Sequence, residues 1–477
     1  MLQRSRERLV WILLGLLPLH ALLVTVGTKL IAGPGQAPLA MLALWKEAVL
    51  GVILLIALVE TVRKLRIENG ELRIDRIDLL IAALLLWSII QPIILHSQFS
   101  ILNYAFGFKY DFLPLVAFLI LRRVPWSSRF ISTGGAVLLG VGVLVSVYGL
   151  AAMVLPMSWF TALGYSDLHS LYVPGGPLAP FQQIESIGIR RMQSTFSGPN
   201  QMGVWLLIPF SILLANAKRQ KPNAKYTLLF GAWFLVLGAL ILTFSRSAWI
   251  AAAVISVAAV WKHLPRKYLL PATCSLLTLV VIAIAAFPSV ILRATSSAGH
   301  IDRPLQALQI MKEHPLGLGL GSAGPASNRF SDACVDLPAG SDASWAQAHP
   351  QLCVFVGGNQ IQPADHACSC PLLPENWYLQ IGVELGWIGF VLYLTLVILL
   401  LRHLMKLRIE NGELRIKFSI LHSQFSITLA FLGISIAAFF LHAWEDSAVA
   451  YTVWLLIAAL APVSVADASL LQFRGRG

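Results

Sequence analysis

The distribution of positive charge constrains the fold of this chain more than any other feature. Twenty-five of the 35 lysine and arginine residues fall in alternate gaps between about twelve apolar stretches. These gaps are residues 4–8, 63–76, 122–129, 218–225, 262–267, 402–417 and 474–476. Short cytoplasmic loops retain positive charge because moving it across a membrane during insertion is unfavourable. The pattern predicts a polytopic membrane protein with both termini in the cytoplasm.

The composition supports a membrane protein and excludes one alternative partner. Of 477 residues, 57% are hydrophobic and only 12% are charged, and the mean hydropathy is +0.74. A net charge of +12 would favour nucleic acid as the partner of a soluble protein. Here most of that charge lies in predicted cytoplasmic loops beside anionic lipid headgroups. We therefore expect a lipid bilayer as a partner and no nucleic acid.

We predict an all-α fold, a single polytopic transmembrane bundle over residues 1–477. The predicted spans are 9–31, 41–62, 77–95, 104–121, 131–155, 200–217, 226–243, 247–261, 268–288, 377–401, 427–443 and 447–466. The first run is too long for the apolar region of a signal peptide. A first outer loop, 156–199, then follows the fifth span. A large outer loop, 288–376, separates spans nine and ten and is long enough to cover a substrate.

Four of the five cysteines share the large outer loop: Cys334, Cys353, Cys368 and Cys370. Four cysteines outside the cytoplasm predict two disulfides. Since a bond between Cys368 and Cys370 would be strained, each pairs with Cys334 or Cys353, which leaves two connectivities. A zinc site that also uses His349 and His366 is the alternative, although the sequence lacks a CxxC pair.

Two short sequences occur twice. KLRIENGELRI stands at 64–74 and 406–416, and ILHSQFSI stands at 94–101 and 420–427. One permitted codon set for RIENGELRI, read on the opposite strand, encodes NSQFSILNS, which is close to HSQFSILN at 96–103. We interpret both pairs as translated parts of an inverted DNA repeat inserted into tolerant loops. Duplicated structural elements are the alternative.

Three arginines stand at the predicted outer ends of spans. Arg190 and Arg191 lie in GIRRMQSTFSGPNQMG before the sixth span, and Arg246 lies in LTFSRSAW between the seventh and eighth. An arginine between apolar helices keeps its charge and requires an anion. That anion is either a bound substrate or, if the side chain snorkels, a lipid headgroup.

The large outer loop begins and ends with further candidates. Arg303 precedes HPLGLGLGSAG, which runs from His314 to Gly324. Its glycines could direct N–H groups at phosphate oxygens, although an ordinary turn explains such a run more often than not. The loop closes in PENWYLQIGVELGWIG. Glu375 there is a candidate general base at the start of a helix. Glu384 lies deeper and is also explained as a buried packing group.

The order of these motifs resembles the O-antigen ligase family. The resemblance covers residues 40–465 and rests on STFSGPNQMG, the T-x-SR motif at 243–246, HPLGLGLG, and N-x-YLQ-x-x-x-ELG-x-x-G at 376–389. It implies a glycosyltransferase of the bacterial inner membrane with about twelve helices and a large periplasmic loop. Members transfer a glycan from undecaprenyl diphosphate to an acceptor glycolipid or glycan, such as the lipid A core, and close relatives polymerise O-antigen repeats.

By this resemblance, Arg190 or Arg191 and Arg246 bind the diphosphate and stabilise the leaving group, with no metal or cofactor. Arg303 and His314 are further substrate-binding candidates. The family uses a late loop histidine to activate the acceptor, whereas this chain has Glu375 before Asn376.

The presence of Glu375 where the family has a histidine leaves three interpretations. Glu375 is the base, His366 or His349 reaches the site, or the acceptor differs. A repeat-unit polymerase would use the same donor. A transporter, with Glu384, His442, Glu445 and Asp446 along a path, is a further alternative, but the sequence lacks matching halves with broken helices.

Overall fold

The computed structural model describes residues 1–67, 74–95, 100–168, 176–184, 187–216, 224–260, 288, 294–337, 339–410 and 423–462. The protein is mostly helical. Its helices are α1 (Leu2–Leu16), α2 (His20–Ala32), α3 (Ala40–Ala43), α4 (Trp45–Ile67), α5 (Arg76–Leu95), α6 (Ile101–Gly107), α7 (Leu113–Leu121), α8 (Ser128–Val154), α9 (Met157–Leu163), α10 (Pro199–Asn216), α11 (Ala224–Leu242), α12 (Arg246–Val260), α13 (Ala294–Glu313), α14 (Gly324–Asn328), α15 (Trp377–Glu410), α16 (Ser423–Ala437) and α17 (Ser447–Leu460).

Five helical stretches of the described residues are long and apolar enough to cross a membrane. They are Leu2–Ala32, Arg76–Leu95, Ile101–Leu121, Ser128–Val154 and Trp377–Lys406. Shorter apolar helices are Thr227–Leu242, Arg246–Val260, Gln424–Ala437 and Ser447–Leu460. The expectation of an all-helical membrane protein is confirmed at this level.

Helices of the described chain overlap eleven of the twelve predicted ranges. The remaining range, 268–288, lies outside the described residues except for Pro288. Residues 68–73, 96–99 and 411–422, which carry much of the duplicated sequence, and the C-terminal residues 463–477 also lie outside them. The number of crossings and the origin of the repeats therefore stay predictions.

Buried ion pairs define one end of the bundle, here called the Arg122 end. Arg122, which is 1% exposed, donates to Asp75 and Asp78 at 2.7 and 3.0 Å. Arg6 donates to Glu60 at 2.8 Å and to the Pro125 carbonyl at 2.6 Å. These contacts join α1, α4, α5 and the α7–α8 turn. Three segments predicted to share one side of the membrane thus meet at one end.

The helices that leave the Arg122 end carry the outer-loop candidates at the opposite end, here called the Glu375 end. The ammonium group of Lys29, in the last turn of α2, donates to the Ala162 carbonyl. Gln91, near the end of α5, donates to the Leu316 carbonyl at 2.9 Å. The described parts of segments 156–199 and 288–376 therefore both pack at this end. Their placement outside a membrane stays a prediction.

Two helices form the centre of the bundle. α10 is buried on nearly all sides and packs against α8, α11, α12 and α16. Twelve of the fourteen residues of α17 are buried. Helices that are apolar all round belong in the interior of a bundle. This central pair fixes the position of the surrounding helix ends from which the candidate site is built.

The large loop contains a small sheet closed by disulfides. β3 (Cys334–Leu337) pairs in parallel with β4 (Cys353–Val356), which pairs antiparallel with β5 (Asn359–Gln362). Cys334 bonds Cys370 and Cys353 bonds Cys368. The prediction of two disulfides is confirmed in one of its two connectivities. Because Cys353 is oxidised, it cannot serve as the thiolate of a zinc site with His366 and Asp332, whose ligand atoms lie nearby.

Candidate functional site

The helix that closes the large loop is broken inside the bundle. Gly386 has φ 68° and ψ −169°, which separates Trp377–Leu385 from the rest of α15. The break leaves carbonyl groups without helical partners. Trp87 donates to the Leu385 carbonyl at 2.7 Å, and Gln91 donates to the Glu384 carbonyl at 2.8 Å. Helix α5 therefore compensates part of the break.

The glycine-rich segment 314–324 satisfies the remaining groups at this break. Gly319 donates its N–H to the Glu384 carbonyl at 2.9 Å. Gly321 and Ala323 donate theirs to Glu384 Oε1 at 3.0 and 3.2 Å. A Cβ at Gly321 would overlap the carbonyl of Asn103. The N–H groups of Gly321 and Ala323, which the sequence offered for phosphate oxygens, are thus directed at a carboxyl side chain of the protein itself.

Two more carboxyl groups surround Glu384. Asp111 interacts with Glu384, and both side chains are buried. Gln380 donates to Glu445 Oε1 at 2.5 Å and lies 2.9 Å from Nδ1 of His442. Burial, together with the nearby charge of Asp111, raises the pKa of Glu445 well above its usual range. The interior of the Glu375 end is therefore rich in acidic groups.

His442 connects this interior to the surface. Desolvation, assisted by the charge of Arg303, lowers the pKa of His442 to about 4. The imidazole is accordingly neutral at pH 7. A neutral ring with its proton on Nδ1 donates to Gln380 Oε1, so the hydrogen bond assigns the tautomer.

Arg303 and Glu375 form an accessible ion pair at the mouth of this region. The guanidinium Nη1 lies 2.6 Å from Glu375 Oε1, with Arg303 44% and Glu375 18% exposed. His300 Nδ1 lies 3.9 Å from the other oxygen of Glu375. Glu375 has φ 53°, a conformation that is costly for a residue with a Cβ and that concentrates at functional sites. The structure brings together these two predicted residues.

Asn376 fixes the beginning of the broken helix beside Glu375. Its side-chain oxygen accepts from the Leu379 N–H at 3.0 Å, while its amide donates to the Phe439 carbonyl at 2.9 Å. The first bond caps α15, and the second ties that cap to the turn after α16. Glu375 is therefore held between a capped helix and α13.

Arg190 and Arg191 make extensive contacts within the protein. They lie on β2 (Ile189–Arg191), which pairs with β1 (Gln182–Ile184). Arg191, 8% exposed, donates to Gln182, Asn200 and the Thr243 carbonyl at 2.9, 2.8 and 3.1 Å. Arg190 donates to the Leu155 carbonyl at 2.6 Å and stacks on Phe181. Arg191 thus joins the sixth-span motif to the T-x-SR motif.

Arg246 begins α12 after a tight turn. Thr243 accepts the Ser245 N–H on its hydroxyl, and Phe244 has φ 51°. Gly203 of α10 lies against this turn, where a Cβ would crowd Ser245. Arg246 is half-buried and adds its charge to the positive end of the helix dipole. Because Arg191 contacts the same turn, Arg246 lies at the Glu375 end of the bundle.

Backbone strain marks the predicted motifs. Among the described residues, the non-glycine positions with positive φ are Ser194, Phe244 and Glu375. They fall in STFSGPNQMG, in T-x-SR and next to the closing motif. All three predicted segments thus contain a backbone conformation that the surrounding structure must enforce.

In the described part of the chain, the candidates His314, His349 and His366 form no ion pair with Glu375. His314 is exposed after the end of α13. His366 pairs with Asp365 at 2.9 Å, and His349 packs beside Trp345. Within the described residues, the charged or titratable groups that meet Glu375 are Arg303 and His300.

Two residues of this region, His300 and Asp111, were not predicted as candidates. His300 and Arg303 are three residues apart and share one face of α13, a spacing that the sequence displays. Asp111 interrupts the apolar range 104–121, and an acidic residue in such a position is a functional candidate by default. The sequence therefore contained a pattern that indicates each of these two residues.

The fold and the site define a helical membrane protein with a basic, strained, disulfide-covered end and a buried acidic centre. Comparison of the sequence with models of known protein families and with curated proteins found no match.

The glycine-rich segment supplies a matched test of this packing. Gly319 and Gly321 both have positive φ, but a Cβ at Gly319 meets nothing within 4 Å whereas one at Gly321 overlaps Asn103. We expect G319A to cost about 1 kcal/mol from strain and G321A about 1–3 kcal/mol more from overpacking. Thermal unfolding in detergent measures the difference. Equal melting temperatures would contradict the packing at Gly321.

Proposed function

We propose that this protein is a membrane glycosyltransferase that moves a glycan from undecaprenyl diphosphate to an acceptor. The proposal includes the twelve crossings, the cytoplasmic termini and an inner-membrane location with segments 156–199 and 288–376 outside. One observation carries it. Arg246, Arg303 and Glu375, predicted from separate motifs, lie at the same end of the bundle, opposite the Arg122 end.

Arg246 is the favoured diphosphate ligand. Arg191 donates to four protein oxygens, which belong to Gln182, Asn200, Thr243 and Phe244. Its contribution is to hold the Thr243–Ser245 turn in place. Arg190 is engaged with Leu155 and Phe181. Arg246, at a helix N-terminus, combines a fixed charge with a favourable dipole. The phosphate groups of the donor would bind there.

Arg303 and Glu375 are assigned to the acceptor side of the reaction. Glu375 takes the proton of the acceptor hydroxyl while that oxygen attacks the anomeric carbon of the donor sugar. The bond between this carbon and the phosphate oxygen breaks, and undecaprenyl diphosphate leaves with the electron pair. Attack opposite the leaving group inverts the configuration. Arg246 stabilises the added charge on the diphosphate, and Arg303 holds Glu375 in position.

Two alternative functions, a repeat-unit polymerase and a transporter, would yield different products. A repeat-unit polymerase would use the same donor and base but add the glycan to another lipid-linked chain. A transporter gains one supporting observation in the buried acids Asp111, Glu384 and Glu445, since intramembrane carboxyl groups commonly mark ion paths. It gives no role to the exposed Arg303–Glu375 pair.

Reconstitution separates these functions. Purified protein in liposomes is given a lipid-linked oligosaccharide, with or without a lipid A core acceptor. A ligase releases undecaprenyl diphosphate only when the acceptor is present and yields glycosylated acceptor. A polymerase releases it without the acceptor and yields longer lipid-linked chains. Movement of intact donor without any release would contradict the proposal.

Replacement of Arg246 by alanine tests the diphosphate site. We expect R246A to lower transfer about a hundredfold or more, because a charge contact to the leaving group is lost. Lys312, an exposed cation near the end of α13, provides the control K312A, with unchanged transfer. Full activity of R246A in the release assay would remove this residue from the site.

Replacement of Glu375 by glutamine tests the base. E375Q keeps the shape of the side chain but cannot accept the proton, so we expect a loss of about a hundredfold or more in the turnover rate. The control is D365N, which changes an exposed acid of the same large loop. Donor binding by E375Q should persist. Retained turnover would transfer the base role to another group, and His300 is the nearest one.

A further inference from the structure

We infer that Asp111 and Glu384 form a proton-binding site in which one hydrogen ion is shared between two buried carboxyl groups and fastens the glycine-rich segment to the bundle. This site is separate from the Arg303–Glu375 pair and does not depend on the proposed transfer reaction. The first observation is that the two buried carboxyl groups interact directly. Gly107, one turn before Asp111, packs against Gly321, whose N–H donates to Glu384 Oε1 at 3.0 Å. Carboxylates offer only acceptor atoms, so a hydrogen bond between the two groups requires a proton on one of them.

The second observation is the lack of any other donor for most of these oxygens. Asp111 is 3% and Glu384 0% exposed. Within the described residues, no N–H or O–H donates to either oxygen of Asp111 or to Glu384 Oε2. Leaving buried acceptors unsatisfied costs roughly 1–3 kcal/mol each, and more for charged groups. A shared proton satisfies the facing oxygens of both side chains.

The third observation concerns charge. In the described part of the chain, no arginine, lysine or histidine forms an ion pair with Asp111, Glu384 or Glu445. Two carboxylates in contact inside a protein cannot both stay ionised without a compensating cation. Their ligand atoms together with those of Glu445 do not form a compact cation cage. A proton is therefore the ligand that fits.

Asp78 shows how the same chain surrounds a buried carboxyl group that has cationic partners. It is 4% exposed, close to the value for Asp111. Arg122 and Arg123 each lie 3.0 Å from its oxygens. The two aspartates thus differ in their partners rather than in their burial, which makes Asp78 a matched control.

The shared proton joins three parts of the fold. Asp111 lies in the π-helical turn Phe108–Phe112, a type of irregularity often found at functional sites. Glu384 lies one residue before the end of the first half of α15. The other oxygen of Glu384 accepts the N–H groups of Gly321 and Ala323. Removal of the proton would put two negative charges in contact beneath the glycine-rich segment and loosen it.

The titratable groups around Asp111 and Glu384 also contribute to any pH dependence of this site. Glu445 acts on both acids, and Tyr393 of α15 interacts with Asp111. His442 is linked to Glu445 through Gln380. Arg303, on α13, influences His442. None of these neighbours donates a hydrogen bond to Asp111 within the described residues.

Infrared spectroscopy of the full-length protein in detergent tests the site directly. We expect a carbonyl-stretching band of a protonated carboxyl group near pH 7. A component of this band should disappear in both D111N and E384Q and persist in E445Q. The amide variants replace the shared proton by an N–H donor, so their melting temperatures should stay close to that of the wild type. D78N, by contrast, should melt lower because Arg122 and Arg123 lose a partner.

Titration to alkaline pH provides the second measurement. The wild type should lose the band and expose segment 314–324 to limited proteolysis over the same pH range, while D111N and E384Q should resist this change. Absence of the component at neutral pH, or loss of stability in D111N equal to that in D78N, would overturn the inference. Stabilisation by sodium with no band would also overturn it, in favour of a metal cation.

Discussion

The arrangement of the Glu375 end depends on the contact between the glycine-rich segment and the broken helix α15. A helix interrupted inside a bundle leaves carbonyl groups that water cannot reach, so other parts of the chain must supply donors. Gln91, Trp87 and Gly319 do so here. A Cβ at Gly317 would overlap the Glu384 carbonyl and one at Gly321 would overlap the Asn103 carbonyl, so both positions require glycine. The large loop is consequently anchored at its base, and α13 with His300 and Arg303 is held against Glu375.

A separate set of contacts, made by Arg191, holds the part of the Glu375 end that contains Arg246. Arg191 uses its guanidinium to join β1, the start of α10 and the turn before α12. A bidentate, planar donor can satisfy several carbonyl groups at once, whereas a lysine could not. The same residue type that the sequence offered as a substrate ligand thus also serves to place a neighbouring arginine. This contact explains how Arg246 is positioned by a motif that is distant from it in the sequence.

Much of the fold was predictable because apolar periodicity and charge alternation are local signals. The bounds of α5, α8 and α12 lie within three residues of the predicted ranges. The break at Gly386 and the role of segment 314–324 were not predictable, since they depend on which distant carbonyl a glycine amide meets. For the site, Glu375 and Arg303 were found from their positions in the loop. Asp111 was not predicted, because the candidate residues were ionisable groups at span ends and Asp111 lies inside the range 104–121.

The disulfide pattern has a mechanical consequence. Cys368 and Cys370 each carry a bond to the small sheet, and only four residues separate Cys370 from Glu375. A chain extends at most about 3.5 Å per residue, so this connection reaches no farther than about 17 Å. While both disulfides are formed, the small sheet is therefore held close to Glu375 by this short connection. Reduction of the two bonds would leave the sheet connected to Glu375 only through the chain after Gln362, which lengthens this connection from four residues to twelve without altering any group in the site itself.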